Sequence, residues 1–293
     1  MRPAPTAALL AVITCSCERG LGVSDLPRQA SPEPPVATNA VVTGAAPSEP
    51  EPSSSALPTA ENEPFAVVEL FTSEGCSSCP PAEALLGEIT RGAQGRAGRV
   101  LTLELHVDYW NDLGWADPFS LAAFSERQRS YARSLGLSEI YTPQMVVNGR
   151  KQLVGSRRSE AESAIAGELE RPPAFHVAVA PRHGSGPRDV LVEFTVTGPA
   201  SADAELTVAL VQNHAETRVT AGENAHQTLE HRHVVRALRD VSLAQARHGT
   251  TVVEWPEPAI PREALVVALV TDTRTGVILG ATSHELSSLD SER

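Results

Sequence analysis

Lysine is nearly missing from this chain: Lys151 is the only one, so almost all positive charge is arginine. Positive charge is scarce overall, 24 Lys and Arg against 36 Asp and Glu, for a formal charge of −12. Nucleic acid is excluded as a partner, because phosphate binding needs clustered basic residues. No apolar run is long enough to span a bilayer. Only four cysteines occur, Cys15, Cys17, Cys76 and Cys79. That number excludes a multi-disulfide scaffold and leaves no Cys₄ zinc site in the folded part. No cofactor and no metal are expected.

What is present divides the chain into four parts. Residues 1–17 read as an export signal, with Arg2, an apolar run from Ala7 to Ile13 and then small polar residues. Val12-Ile13-Thr14-Cys15 resembles a bacterial lipoprotein box, with Cys17 as a competing acylation site. Residues 18–63 read as a tether: from Gly22 to Pro64 there are nine prolines, six acidic residues and one arginine. Such a segment buries too little apolar surface to offset its ordering entropy. The chain is therefore expected in the periplasm or cell envelope, touching membrane only through the N-terminal lipid anchor.

Residues 64–170 carry alternating helix and strand signals. Phe65–Thr72 is an apolar strand interrupted by Glu69. Ala82, Leu85, Leu86 and Ile89 recur as one helix face. Arg99–Val107 alternates as a strand with one strongly apolar side. Asp117-Pro118 looks like a helix N-cap and Gly136 like its stop. Gln144–Val147 and Lys151–Val154 flank the hairpin signal Asn148-Gly149. Ser159-Glu160-Ala161-Glu162 reads as a capping box. The order is βαβαββα. Beyond Pro172-Pro173, residues 171–288 give strand-like runs at 175–180, 190–197, 206–212, 232–237, 251–255, 265–271 and 277–282. A weak helical period lies near 242–247. An all-β antiparallel sandwich is expected there.

The chemistry centres on Cys76-Ser77-Ser78-Cys79, which follows a strand and opens a helix. Free N–H groups and the positive dipole end at a helix N-terminus stabilise a thiolate. Pro80 and Pro81 fix the helix start, since proline is tolerated only in the first turn. Cys76 should be the exposed nucleophile and Cys79 the shielded resolving thiol.

LFTSEGCSSCPPAEALL, HVDYWNDLGWADPFS and YTPQMVVNGR together resemble a secreted bacterial thioredoxin-like family, domain-of-unknown-function family twelve-twenty-three. The resemblance is strong over Phe65–Leu169 and weaker through Gly222-Glu223-Asn224-Ala225 and His233-Val234-Val235-Arg236. It implies a thioredoxin-like domain with a cis peptide between Thr142 and Pro143, packed against the CxxC and aligning substrate backbone. It also suggests Glu69 as the acid that moves the resolving cysteine's proton; pairing with an arginine is the alternative. Thioredoxin itself differs, having a Trp before the first cysteine, Gly-Pro between the pair, and nothing like the segment from Asp108 to Pro118.

His106 could tune the thiolate, while Trp110 and Trp115 read as packing. Among His226, His231 and His233, the last two would share a strand face. No carboxylate or cysteine is spaced beside them, so solvent-facing positions are expected rather than a metal site. The leading expectation is an envelope thiol–disulfide oxidoreductase acting on protein thiols and disulfides with an envelope redox partner. A copper metallochaperone and a non-enzymatic thioredoxin-like interaction module are the alternatives.

Overall fold

Strand β1 (Ala66–Thr72) is buried along its whole length, and its two faces serve two different layers. Ala66, Val68 and Leu70 pack with helix α1 (Pro80–Ala93) and helix α3 (Arg158–Glu168). Val67 and Phe71 pack with helix α2 (Ala122–Leu135) through Phe124 and Tyr131. Strand β2 (Val100–His106) runs parallel to β1 and is also wholly buried. Strands β3 (Gln144–Val147) and β4 (Lys151–Val154) follow antiparallel on the other side of β1. Asn148 and Gly149 both take positive φ, 46° and 65°, as a two-residue turn of this hand requires. A β-carbon on Gly149 would stand 1.9 Å from the carbonyl oxygen of Gly276, so no other residue fits there.

These coordinates belong to a computed structural model that describes residues 63–93, 99–200, 203–257 and 263–286. The expected signal, with Cys15 and Cys17, and the tether up to residue 62 lie outside the described residues. Among the described residues, no helix is long and apolar enough to cross a membrane.

The remaining strands are β5 (His176–His183), β6 (Asp189–Thr197), β7 (Ala204–Arg218), β8 (Thr228–Ser242), β9 (His248–Glu254), β10 (Ala264–Asp272) and β11 (Ile278–Glu285). Each expected run from residue 175 onward thus becomes a strand. Strands β5, β6 and β9 form one small sheet. It packs Val190, Val192, Phe194 and Trp255 onto Leu206, Val208, Val266 and Ala268 of a second sheet, which gives the sandwich-like arrangement.

That second sheet does not stop at the expected boundary between 170 and 171. Its order is β11-β10-β7-β8-β2-β1-β3-β4, eight strands drawn from both halves of the chain. The join is β8 beside β2, parallel, at Glu104 and Val234. Without β8, strand β2 would present an unpaired edge, which proteins usually cover. The fold is therefore mixed α/β, with few helices and one large sheet.

Two helix starts differ from their local signals. Helix α2 begins at Ala122, because Asp117 spends its carboxylate elsewhere and caps only a turn at Phe119. Helix α3 begins at Arg158, one residue ahead of the supposed cap Ser159, with no side-chain cap. Where the weak helical period lies, Ser242 ends β8 and residues 243–245 form a turn. Gly136 does end α2, at a φ of 68°.

Candidate functional site

The segment between β1 and α1 carries the two cysteines, joined as a Cys76–Cys79 disulfide. Cys79 takes the cap position of α1: its carbonyl oxygen accepts from the N–H groups of Ala82 and Glu83 at 2.8 and 3.2 Å. Pro80 and Pro81 occupy the first turn, where a missing N–H costs nothing. Ser77 and Ser78 face solvent, whereas both sulfur-bearing residues are fully buried.

Burial of Cys76 corrects the expectation of an exposed nucleophile. The cause is the loop between β7 and β8, residues 219–227, which crosses the disulfide loop like a strap. The Asn224 side-chain amide donates to the carbonyl oxygens of Glu74 and Cys76 at 2.9 and 3.0 Å. The Ser77 N–H donates to the Glu223 carboxylate at 3.0 Å. Gly222, at a φ of 73°, lets the strap lie against the inserted segment; a β-carbon there would meet Trp115 at 3.0 Å.

On the α1 face of the sheet, beside the disulfide, lies a cluster of buried ionisable side chains. Thr72 donates to Glu83 of α1 at 2.6 Å. Glu104 and His106 point the same way from β2, and His231 meets them from β8. His231 Nδ1 lies 2.8 Å from Glu104 Oε1, and its Nε2 lies 3.2 Å from Glu74. His106 Nδ1 lies 2.7 Å from Asp117, whose carboxylate also accepts from the Glu74 N–H. Glu74 further accepts from the Trp115 indole at 2.7 Å. The Phe119 ring presses on both imidazoles, with centroids 5.3 and 5.6 Å away.

Burial sets the protonation pattern here, modified by the neighbours. Burial, reinforced by the Glu104 charge, raises the Glu83 carboxyl to about 7. For Glu104 burial would act the same way, but His231 and His106 overcome it and bring the carboxyl down to about 2. Burial would lower both imidazoles; instead Asp117 and Glu104 hold His106 well above the ordinary histidine value. Glu104 and Glu74 likewise raise His231 to about 9. Glu83 is thus the cluster carboxyl poised to exchange a proton near neutrality.

The other expected site residues divide. Thr142 and Pro143 join in a cis peptide, with Pro143 buried. A β-carbon on Gly155 would meet both Pro143 and Ala82 of α1, at 3.2 and 2.9 Å, so the proline loop lies against the first turn of α1. Trp110 bridges the two loops: its indole donates to Thr142 at 2.9 Å, and its β-carbon lies 3.4 Å from where a Gly75 side chain would start. Glu69 does not join them. It faces α2, accepting from Arg127 at 2.6 Å and from the Tyr131 hydroxyl. Its side of β1 is opposite to α1, which removes it from the proton-relay role and supports the arginine-paired alternative.

Of the three histidines grouped by sequence, His226 is exposed and His233 bonds to Thr102 at 2.9 Å, while His231 is wholly buried. Nothing in the sequence spacing marks Glu74, Glu104 or Asp117 as chemistry. Glu83 had one available signal: it shares a helix stripe with Leu86 and Thr90, at i, i+3 and i+7, all buried.

A family model described as a protein of unknown function, DUF1223, matches residues 67–271. A solved structural-genomics protein from Agrobacterium tumefaciens is 27% identical with a TM-score of 0.53, covering 76% of this chain and 94% of its own. A β-glucosidase from Kluyveromyces marxianus is 8% identical with a TM-score of 0.20, covering 39% of this chain and 14% of its own. A β-glucuronidase from Bacteroides uniformis is 13% identical with a TM-score of 0.17, over 38% and 12%. No curated protein matches the chain.

Proposed function

The chain belongs to the DUF1223 family of proteins of unknown function, and we propose that it is a thioredoxin-like thiol–disulfide oxidoreductase of the bacterial envelope. The observation that carries this reading is the Cys76–Cys79 disulfide at the start of α1, with the cis Thr142-Pro143 loop against the same helix turn. The strand order β2-β1-β3-β4, with α1 leading directly from the cysteine loop, supports the thioredoxin-like part. Export and lipid anchoring rest on residues 1–17 alone.

In the reduced protein the Cys76 thiolate attacks one sulfur of a substrate disulfide, and the substrate's other sulfur leaves as a thiolate. Cys79 then loses its proton and attacks the Cys76 sulfur, which closes the Cys76–Cys79 disulfide and frees the second substrate thiol. Run backward, the same steps oxidise a substrate dithiol. Glu83 stands four residues after Cys79, hence on the same helix side, and is the acceptor for the Cys79 proton. Because Cys76 is covered, the strap at 219–227 must lift before attack.

Trapping tests the assignment. Cys79→Ala should accumulate a mixed disulfide with envelope proteins, because attack survives and resolution is lost. Cys76→Ala should trap nothing and leave a slowly alkylating thiol. Equal reactivity of the two remaining thiols across pH, or no adduct with either variant, would overturn the roles given to Cys76 and Cys79. Metal binding lost equally with either variant would point instead to a thiolate metallochaperone.

A further inference from the structure

We infer that Glu104, His106 and His231 form a binding site for one borderline divalent cation, zinc in the first instance, clipping β2 to β8. This inference does not rest on the redox reading, since no cysteine takes part. One donor atom from each of the three residues lies within 4.8 Å of the others, and all three side chains are buried.

Each of the three side chains is also held from outside the cluster. Asp117 holds His106 by Nδ1, at 2.7 Å, which leaves Nε2 directed inward. Glu74 holds His231 by Nε2, at 3.2 Å, which leaves Nδ1 directed inward. The Arg232 N–H donates to Glu104 Oε2 at 2.9 Å, leaving Oε1. The three inward atoms converge: Oε1 is hydrogen-bonded to His231 Nδ1 at 2.8 Å, a contact the ion would replace, and lies 3.4 Å from His106 Nε2. Ligand atoms around a tetrahedral zinc with bonds of about 2.0–2.1 Å stand roughly 3.3 Å apart.

A carboxylate on the far nitrogen is how proteins orient metal-binding imidazoles, and both histidines have one. His106 Nε2 supplies the second observation. It is a buried polar atom with no aligned hydrogen-bond partner among the described residues, despite its nearness to Glu104. The two imidazoles also stand with ring centroids 4.8 Å apart inside the protein. Two imidazoles with one carboxylate form a set that zinc accepts. A groove of about 460 Å³ between α1 and β8, lined by Glu83 and Arg232 among others, gives approach to the neighbours of Glu104.

The position matters for the fold. Glu104 and His106 belong to β2 and His231 to β8, so the ion would fasten the one junction between the two halves of the sheet. The test uses the untagged full chain with its disulfide intact and free thiols blocked, stripped by chelator and titrated with zinc or cobalt(II). One equivalent should bind at sub-micromolar affinity, cobalt should show the intense visible absorption of a tetrahedral site, and zinc should raise the unfolding temperature. Asp117→Asn should weaken binding roughly 10- to 100-fold with the ligands retained. His106→Gln and His231→Gln should abolish binding; His226→Ala should leave it unchanged. Absence of stoichiometric binding to the unaltered chain would overturn the site, without need of any variant. So would unchanged affinity in folded His106→Gln. Failure here leaves the cysteine-trapping result standing, because the two experiments share no residue.

Discussion

The two faces of the β1–β2 sheet both bury acids within a few residues of the disulfide, yet they treat them in opposite ways. Toward α2, Glu69 is matched directly: Arg127 at 2.6 Å supplies the counter-charge and the Tyr131 hydroxyl completes it. Burial would depress the Arg127 guanidinium, but Glu69 raises it, so the guanidinium stays charged and fixed. Toward α1, Glu83 has only a hydroxyl from Thr72, and its neighbours include another carboxyl. A fully paired acid holds the fold in one arrangement. A half-paired acid retains a proton that can be given up, which is what exchange chemistry needs.

Removing a partner should expose that difference most strongly on the α2 face. Arg127→Ala leaves the buried Glu69 without its counter-charge, and the expected loss is about 3–5 kcal/mol in urea unfolding. Disulfide exchange by the fraction still folded should keep its rate. A loss below about 1 kcal/mol would mean that the pair behaves like a surface ion pair, and the contrast between the faces would collapse.

On the α1 face the corresponding change should stabilise. The Glu83 carboxyl is raised to about 7 from an ordinary 4.5, so its neutral form is favoured in the folded state. The sign follows from linkage: the folded chain holds the extra proton between those values, so stability falls as pH rises through this window. Below it Glu83 carries no penalty; above it the full penalty applies. Glu83→Gln, which keeps an acceptor for Thr72, should therefore stabilise by up to about 3 kcal/mol at pH 8 and by little at pH 4. The same variant should flatten the pH profile of mixed-disulfide resolution near neutrality. An unchanged profile would remove Glu83 from proton transfer.

How far the sequence foretold these faces depends on the reach of each interaction. The βαβαββα order and the strands from β5 to β11 were legible because period, turn residues and glycine stops act over a few positions. The cysteine loop and Thr142-Pro143 were legible as motifs. The cluster was not, because His231 meets Glu104 across 127 residues and Glu74 across 157. Asp117-Pro118 is a strong local signal for a cap, whereas the bond Asp117 accepts from Glu74 spans 43 positions. The side of β1 that Glu69 takes is illegible for another reason. Both faces of β1 are apolar, so alternation alone does not say which one meets α1.

The smallest expected effect tests the strap across the disulfide loop. Asn224 is buried, and its amide serves two carbonyl oxygens, those of Glu74 and Cys76. Asn224→Ala leaves both short of that donor, at a cost of about 1–3 kcal/mol. The Cys76 carbonyl still accepts from the Cys79 N–H at 3.2 Å, so the disulfide loop itself should hold and the strap should loosen first. Reduction of the Cys76–Cys79 disulfide by a small phosphine should then quicken several-fold relative to the parent chain. The measurement is thiol release against time, under conditions where both proteins remain folded by circular dichroism. Glu223→Gln, at the exposed Ser77 contact, should change little, because that contact is open to water on one side. Glu69→Gln, on the opposite face, should leave the reduction rate alone. If Asn224→Ala is destabilised but reduced no faster, access to the disulfide is not controlled by the strap, and another route to Cys76 must exist.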